Sequence, residues 1–391
     1  MKILYITSDA GWGGSSVALY NLVSELKNRH QIYVFLPSTK GQLGKKLMDI
    51  NVMCFSYPFG MQTYPNINCG FVDILKHIWW FVRGLYRLHF AKRYLGTILD
   101  DLEPDIVHLN VGMVDLSLDA CLKRNICHVW HLRDYLDYKF FPSRSYLHQK
   151  LLHECNYNIA ITKQMFKYYG LRNNRDIVVY DGVINALRPH RKSVITRDKY
   201  FLMVGTIQEI KGILEGIKAF HEFDKQTPGY KLLIAGRSWK GNDYKTMCDN
   251  YINRNDLRDK VNFIGERNDV YELMSQATAL LAPNKMEGFG FTIVEAMYNQ
   301  CIVIGRNVMG LKEQFELGFV ETGNEIAFHF DDDNDIPKLM QRVVDEDLTE
   351  MRERAYNMVC KHYTVKGNAL KIEAFYNNIL LNKNSPKKVY S

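Results

Sequence analysis

The chain has 391 residues, 47% of them apolar and 24% charged; this length points to two domains, and the apolar share excludes a disordered chain. The net charge is +7, and residues 1–190 account for all of it, with 22 Lys and Arg against 15 Asp and Glu, while the remainder has 28 of each. The eight cysteines (54, 69, 121, 127, 155, 248, 301 and 360) form no C-x-x-C pair, which argues against a disulfide framework or zinc site and for a reducing compartment.

A strand-like run at residues 2–7 opens the chain without a signal-peptide layout. The turn Ser8-Asp-Ala-Gly11-Trp-Gly13-Gly14-Ser15-Ser16 then precedes a helical pattern over 15–29. Its amides can approach a phosphate. As a dinucleotide fingerprint it fails, because Ser16 stands where the third glycine belongs and no acid ends the second strand, 31–37. A tight turn with a Ser cap is the ordinary alternative.

After a strand at 51–57, residues 71–94 form a helix-length segment with five Lys and Arg, one Asp and seven Phe, Trp and Tyr. That composition suits a segment lying at a membrane interface. The alternative is an amphipathic helix packing Ile74, Ile78, Val82 and Leu85 onto a sheet. Basic residues among aromatics also suit nucleic acid, but no such motif accompanies them, and no nucleic-acid partner is expected. Nowhere do 18 uncharged apolar residues run together, so no membrane-spanning helix is expected.

Strands at 105–110 and 127–132 carry His108 and His131, followed by two more at 157–162 and 176–181. A His at the carboxyl end of a parallel strand reaches the crevice where open α/β sheets bind ligands; a structural, hydrogen-bonded His is the alternative. The polar stretch 185–198 breaks the pattern, and strands resume at 200–206, 230–236, 260–265, 277–283 and 301–306. Lys211 lies just beyond the first of these, at the opening of a helical pattern over 211–226, where its point charge can neutralise a diphosphate.

The most informative stretch follows the strand ending at Pro283. Asn284-Lys-Met-Glu287-Gly-Phe-Gly290-Phe291-Thr292-Ile-Val-Glu295 is a glycine-containing loop running into a helix that Thr292 opens. Glu287 falls on the loop and Glu295 on the first helical turn, beside amides suited to an anion. A phosphate flanked by sugar hydroxyls is a nucleotide-sugar. The acids at 331–333 could attract a hard cation, but they precede a Pro and a helical pattern and read as a solvated loop with a capping acid, not a metal site.

Strands rich in Ile, Val and Leu alternating twice with helices give an α/β fold of two Rossmann-like domains with parallel sheets. The expected division is 1–185, 198–365, and a C-terminal helix and basic tail at 366–391, the helix packing back toward the first domain.

Assembled in order, these pieces resemble the retaining glycosyltransferases of family 4. The resemblance rests on the glycine-rich first turn, Pro104-Asp-Ile-Val-His108, the His131 strand, Val178-Val-Tyr-Asp-Gly182-Val183, Val204-Gly205, Lys211-Gly212, Leu233-Ile-Ala-Gly236 and Val261-Asn-Phe-Ile-Gly265. The Glu287/Glu295 pair, seven residues between, is its most specific part. It implies a GT-B fold, with the two domains facing across a cleft. It further implies that Glu295 binds the ribose, Glu287 the transferred sugar, and His131 the donor sugar. Lys211, with the amides of Gly290, Phe291, Thr292, Gly13 and Gly14, would hold the diphosphate, Gly205 and Thr206 would lie in the donor site, and Gly265 and Arg267 would line the base pocket. Thr206 stands where many members have Arg, with Arg237 a possible substitute; Asp181, Ile184 and Gln300-Cys301 also depart from the family pattern.

The expected activity is metal-independent, cofactor-free transfer of a hexose-type sugar from a UDP- or GDP-sugar, with retention, to a glycan or lipid-linked acceptor. The expected place is the cytoplasm, peripherally at the inner face of a membrane. A nucleotide-sugar epimerase of the same architecture and a non-catalytic sugar-nucleotide-binding subunit are the alternatives.

Overall fold

Strands that are apolar on both faces must be covered on both, and short connections through helices force them to pair in parallel. The computed structural model describes residues 1–65, 70–110, 115–135, 140–141, 143–153, 156–185, 197–238 and 241–384. The chain divides into two units, Met1–Gly182 with Val365–Ser391, and Val183–Thr364. Most of the polar break expected at 185–198 lies outside the described residues.

The first unit runs β1 (Lys2–Ile6), α1 (Gly14–Leu26), β2 (Gln31–Leu36), α2 (Gln42–Asp49), β3 (Met53–Ser56), β4 (Gln62–Thr63), α3 (Phe71–Leu102) and β5 (Ile106–Leu109). It continues through α4 (Leu118–Lys123), β6 (Cys127–Leu132), β7 (Phe140–Phe141), α5 (Arg144–Leu151), β8 (Asn156–Ala160), α6 (Lys163–Tyr168) and β9 (Ile177–Val178). Seven strands form a parallel sheet in the order β3-β2-β1-β5-β6-β8-β9, and β4 pairs with β7 apart from it.

The second unit comprises β10 (Tyr200–Val204), α7 (Ile213–Gln226), β11 (Lys231–Ala235), α8 (Asp243–Arg254), β12 (Val261–Gly265), α9 (Val270–Gln276), β13 (Ala279–Ala282) and α10 (Phe291–Tyr298). Then come β14 (Ile302–Arg306), α11 (Met309–Thr322), β15 (Phe328–Phe330), α12 (Ile336–Asp345) and α13 (Thr349–His362). Its parallel sheet has the order β12-β11-β10-β13-β14-β15. The strand order reverses between β10 and β13, and such a reversal opens a crevice at the carboxyl ends of the strands. The last helix, α14 (Val365–Asn384), belongs to the first unit and buries Ala369, Ile372 and Tyr376 in its core with Ile3, Val34 and Val129.

Several expectations need correction. Ile78 and Val82 do not pack onto a sheet; they are 43% and 57% exposed, and α3 buries Gly84, Ala91, Leu95, Ile98 and Leu99 instead. Helical periodicity gives a stripe but not the side that is covered. No Ser cap starts α1: Gly13 is the N-cap, and the Ser16 hydroxyl goes to the Asp9 carboxylate at 2.8 Å. The strand expected at 176–181 is only two residues long, and β15 was not foreseen because it is only three residues long. α10 starts one residue before Thr292, so Glu295 lies in its second turn.

Candidate functional site

Two loops meet beyond the reversal point of the second sheet. Gly212 takes φ 65°, and a Cβ there would collide with the carbonyl oxygen of Pro283; only glycine lets the β10–α7 loop lie against the β13–α10 loop. The Lys285 amide donates to the Ile210 carbonyl at 2.9 Å, and the Lys285 ammonium joins Glu209 at 3.0 Å and Glu215 at 2.9 Å. Held this way, Lys211 Nζ sits 2.6 Å from Glu287 Oε2, which also accepts from Asn284 Nδ2 at 2.7 Å. The pair is partly buried, with side chains 27% and 19% exposed, so solvent still reaches it and an entering phosphate can compete with Glu287 for the ammonium.

Beside this pair the N-terminus of α10 is open. Its N-cap, Gly290, has no side chain to cap the amides of Phe291 and Thr292, and uncapped first-turn amides with the helix dipole behind them attract anions. Glu295 accepts from the Tyr271 hydroxyl of α9 at 2.7 Å, which holds it in one rotamer. At the neighbouring strand ends, a Cβ on Gly236 would strike the Gly205 carbonyl oxygen, so β10 and β11 end in tight backbone contact. Thr206 turns to Gln208 at 3.3 Å, leaving no cation at that position. Arg237, at the end of β11, is exposed and makes no ion pair among the described residues. Gly265, the last residue of β12, and Arg267, two residues beyond it, lie exposed, Arg267 engaged with Asp269 at 2.8 and 2.5 Å.

In the first unit, the turn after β1 already contains an anion. Asp9 accepts from the Gly11 amide and the Ser16 hydroxyl, each at 2.8 Å, and lies close to Gly13 at the start of α1. Gly13 and Gly14 thus stand beside a negative charge, a feature the turn's glycines did not reveal.

His108 and His131 lie on adjacent strands, with His108 Nε2 3.2 Å from His131 Nδ1. Arg133 Nη2 approaches the same Nδ1 at 3.3 Å. A guanidinium only donates, so His131 Nδ1 accepts and its proton sits on Nε2. That buried N–H has no partner among the described residues, a deficit of about 1–3 kcal/mol that a ligand oxygen would remove. Behind it, His108 Nδ1 is bonded to the Tyr376 hydroxyl at 2.6 Å, itself 3.2 Å from that of Tyr5. Arg133 also pairs with the buried Asp181 and donates to Asn110 Oδ1 at 3.2 Å. The sequence reading gave Arg133 no role; its only signal was its place two residues after His131.

Burial, then the Arg133 charge, depresses the pKa of both His108 and His131; burial likewise lowers His128, to about 4. The unfolded chain therefore binds protons more readily than the folded one. Stability should be complete above about pH 6.5 and fall below it by up to ~1.4 kcal/mol per pH unit per histidine. Urea midpoints that do not change between about pH 7.5 and 5.5 would contradict this.

Of the acids at 331–333, Asp332 caps a short 3-10 turn and Asp333 pairs with Arg306.

Residues 12–184 match the family model described as Glycosyltransferase Family 4, and residues 188–359 that of Glycosyl transferases group 1. A serotype-specific mannosyltransferase of Escherichia coli is 27% identical over 158 residues, 40% of this chain. The match spans only 18% of that relative's length. An uncharacterized glycosyltransferase of Methanocaldococcus jannaschii is 24% identical over 78% of this chain and 84% of its own. The crystal structure of Anabaena HepE with UDP-glucose superposes with a TM-score of 0.73 at 18% identity, over 97% of this chain and all of that one, and so shares the fold.

Proposed function

As the chain belongs to glycosyltransferase family 4 and is a glycosyltransferase of the GT-B fold, we propose that it moves a hexose-type sugar from a UDP- or GDP-sugar, with retention and without a metal. The observation that carries the proposal is the Lys211–Glu287 pair at 2.6 Å, set beside the uncapped start of α10. A cation and open amides suit the diphosphate, and carboxylates suit the sugar hydroxyls. UDP-glucose bound to the Anabaena neighbour and the mannosyl specificity of the Escherichia coli relative support a nucleotide-sugar donor.

In this mechanism Glu295, steadied by Tyr271, takes the ribose hydroxyls, while Gly265 and Arg267 border the base. Lys211, the amides of Phe291 and Thr292, and Arg237 in place of the missing Arg at 206 stabilise the diphosphate as it leaves with growing charge. Preorganised donors of this kind need no reorientation during bond cleavage. Glu287 orients the sugar; in the first unit, the Nε2–H of His131, without a partner among the described residues, is a donor for a ligand oxygen. The leaving phosphate oxygen accepts the acceptor's proton on the face it vacates, so no separate protein base is required. Release of nucleoside diphosphate from UDP- and GDP-hexoses tests this. Glu287→Ala should lower kcat on the order of 10²-fold with little change in donor KM; turnover equal to wild type would overturn the role.

For the acceptor we propose a glycan or lipid-linked intermediate at the inner face of a membrane, contacted through α3. Among the described residues no helix is long and apolar enough to cross a membrane. The first turns of α3 instead expose Phe71, Leu75, Ile78, Trp79, Val82 and Tyr86, at 43% to 74%. At 100° per residue these fall on one stripe, bordered on one side by Lys76, Arg83 and Arg87 with the exposed Trp80 beyond them, a layout that suits a helix lying in a lipid interface. Co-sedimentation with phosphatidylcholine–phosphatidylglycerol vesicles should be strong at low salt and weak in Trp79→Ala. Absence of binding at low salt would contradict the contact.

A further inference from the structure

Another side of α3, that of Leu88 and Lys92, borders a cavity of about 350 Å³ in the first unit, which Tyr64, Asp115, Phe141, Ser143 and Tyr146 also line. Its size falls at the lower end of small-molecule sites. In chain order Asp115 comes after β5 and Phe141 after β6, on the connections that leave the carboxyl ends of these strands, the side on which open α/β sheets bind ligands. Tyr64 and Tyr146 are 46% and 43% exposed, which leaves ring surface uncovered. Phe141 braces Tyr64 edge-on, with ring centres 5.7 Å apart.

Asp115 is only 4% exposed. Its Oδ2 receives Lys150 at 2.6 Å, with Lys92 at 3.9 Å, and Lys150 also bonds Asp119 at 2.6 Å. Its Oδ1 is buried and has no partner among the described residues. A carboxylate oxygen only accepts, so the missing partner is an O–H or N–H donor. An acyl chain has no such donor, and a phosphate would meet the carboxylate's own charge. Tyr64 already stacks with Phe81, ring centres 6.3 Å apart, and Lys150 Nζ lies over the Tyr146 ring at 5.0 Å, so a pyranose would lie on the ring surface that stays exposed, and it supplies the hydroxyl that Asp115 lacks.

We propose that this cavity is the subsite for a sugar ring of the acceptor, with one hydroxyl donating to Asp115 Oδ1 and the ring lying on Tyr64 and Tyr146. The proposal rests on the glycosyltransferase activity described above and adds where the acceptor's carbohydrate sits. On a lipid-linked acceptor, the side of α3 that carries Leu88 and Lys92 would hold the sugar while its exposed stripe meets the lipid.

Saturation-transfer NMR of the full chain with methyl α-glucopyranoside, methyl α-mannopyranoside and methyl β-galactopyranoside tests it, each in the presence and absence of saturating UDP or GDP. At least one glycoside should give signals that persist with the nucleotide bound, because the subsite is not the donor site. Tyr64→Ala and Tyr146→Ala replace half-exposed rings and should fold normally; each should weaken that binding roughly three- to tenfold. Asp115→Asn, which leaves the shape but loses the charge, should weaken it as well. Signals absent for all three glycosides, displaced by nucleotide, or unchanged in both Tyr variants would overturn the subsite. Calorimetric UDP and GDP titrations of the same samples report on the donor site separately, so its failure would be distinguishable.

Discussion

Lys211→Ala is expected to lower kcat/KM for the nucleotide-sugar by roughly 10²–10³-fold, equivalent to about 2.7–4 kcal/mol of transition-state stabilisation. Lys211 is the cation that the Gly212–Pro283 contact brings to Glu287 and to the open end of α10. Thr206 supplies no charge nearby, which concentrates the demand on Lys211 and Arg237. Both donor affinity and kcat should fall, because the diphosphate is charged before bond cleavage and more so during it. Lys211→Arg should recover part of the loss by restoring the charge, but with a planar head that does not match the point contact of an ammonium. Initial rates of nucleoside diphosphate release give both parameters. Rates near wild type for Lys211→Ala would remove this residue from the site.

Arg133→Met is expected to destabilise the protein by about 3–5 kcal/mol, because it leaves the Asp181 carboxylate buried without its counter-ion. Arg133 and Asp181 are 4% and 3% exposed, and burial already pushes the Asp181 carboxyl upward against the pull of Arg133. The melting temperature of the first unit should drop by roughly 6–20 °C. Adding Asp181→Asn should restore part of this, since a neutral amide costs less to bury than an unpaired charge. A double variant no more stable than Arg133→Met alone would show that the lost stability comes from packing and from the bonds to Asn110 and His131. In that case the ion pair would not be its source.

What could be read from the sequence follows the range of the forces involved. The parallel sheets and the pairing of Lys211 with Glu287 were legible because each residue lies just past a strand end, and neighbouring parallel strands end together. Glu295 was legible from its spacing, although Gly290 rather than Thr292 sets the start of its helix. Contacts between distant positions left no such trace. Arg133 and Asp181 are 48 residues apart, and the Tyr376–His108 bond spans 268. Asp9 was read as part of a glycine turn, yet its carboxylate occupies that turn because Gly11 and Ser16 point donors at it. The stripe on α3 was visible as a period, but only the packing of Gly84, Ala91 and Leu95 decides which side is covered. The Asp115 cavity is assembled from four segments far apart in the chain, and nothing in any of them marks their meeting.

Hydrogen exchange with and without a bound nucleotide-sugar tests the central claim most directly. Protection should be concentrated in residues 205–213 and 284–295, where the glycine-spaced strand ends, Lys211, Glu287 and the first turn of α10 lie. Protection missing from both segments while the ligand is demonstrably bound would contradict the donor site described here.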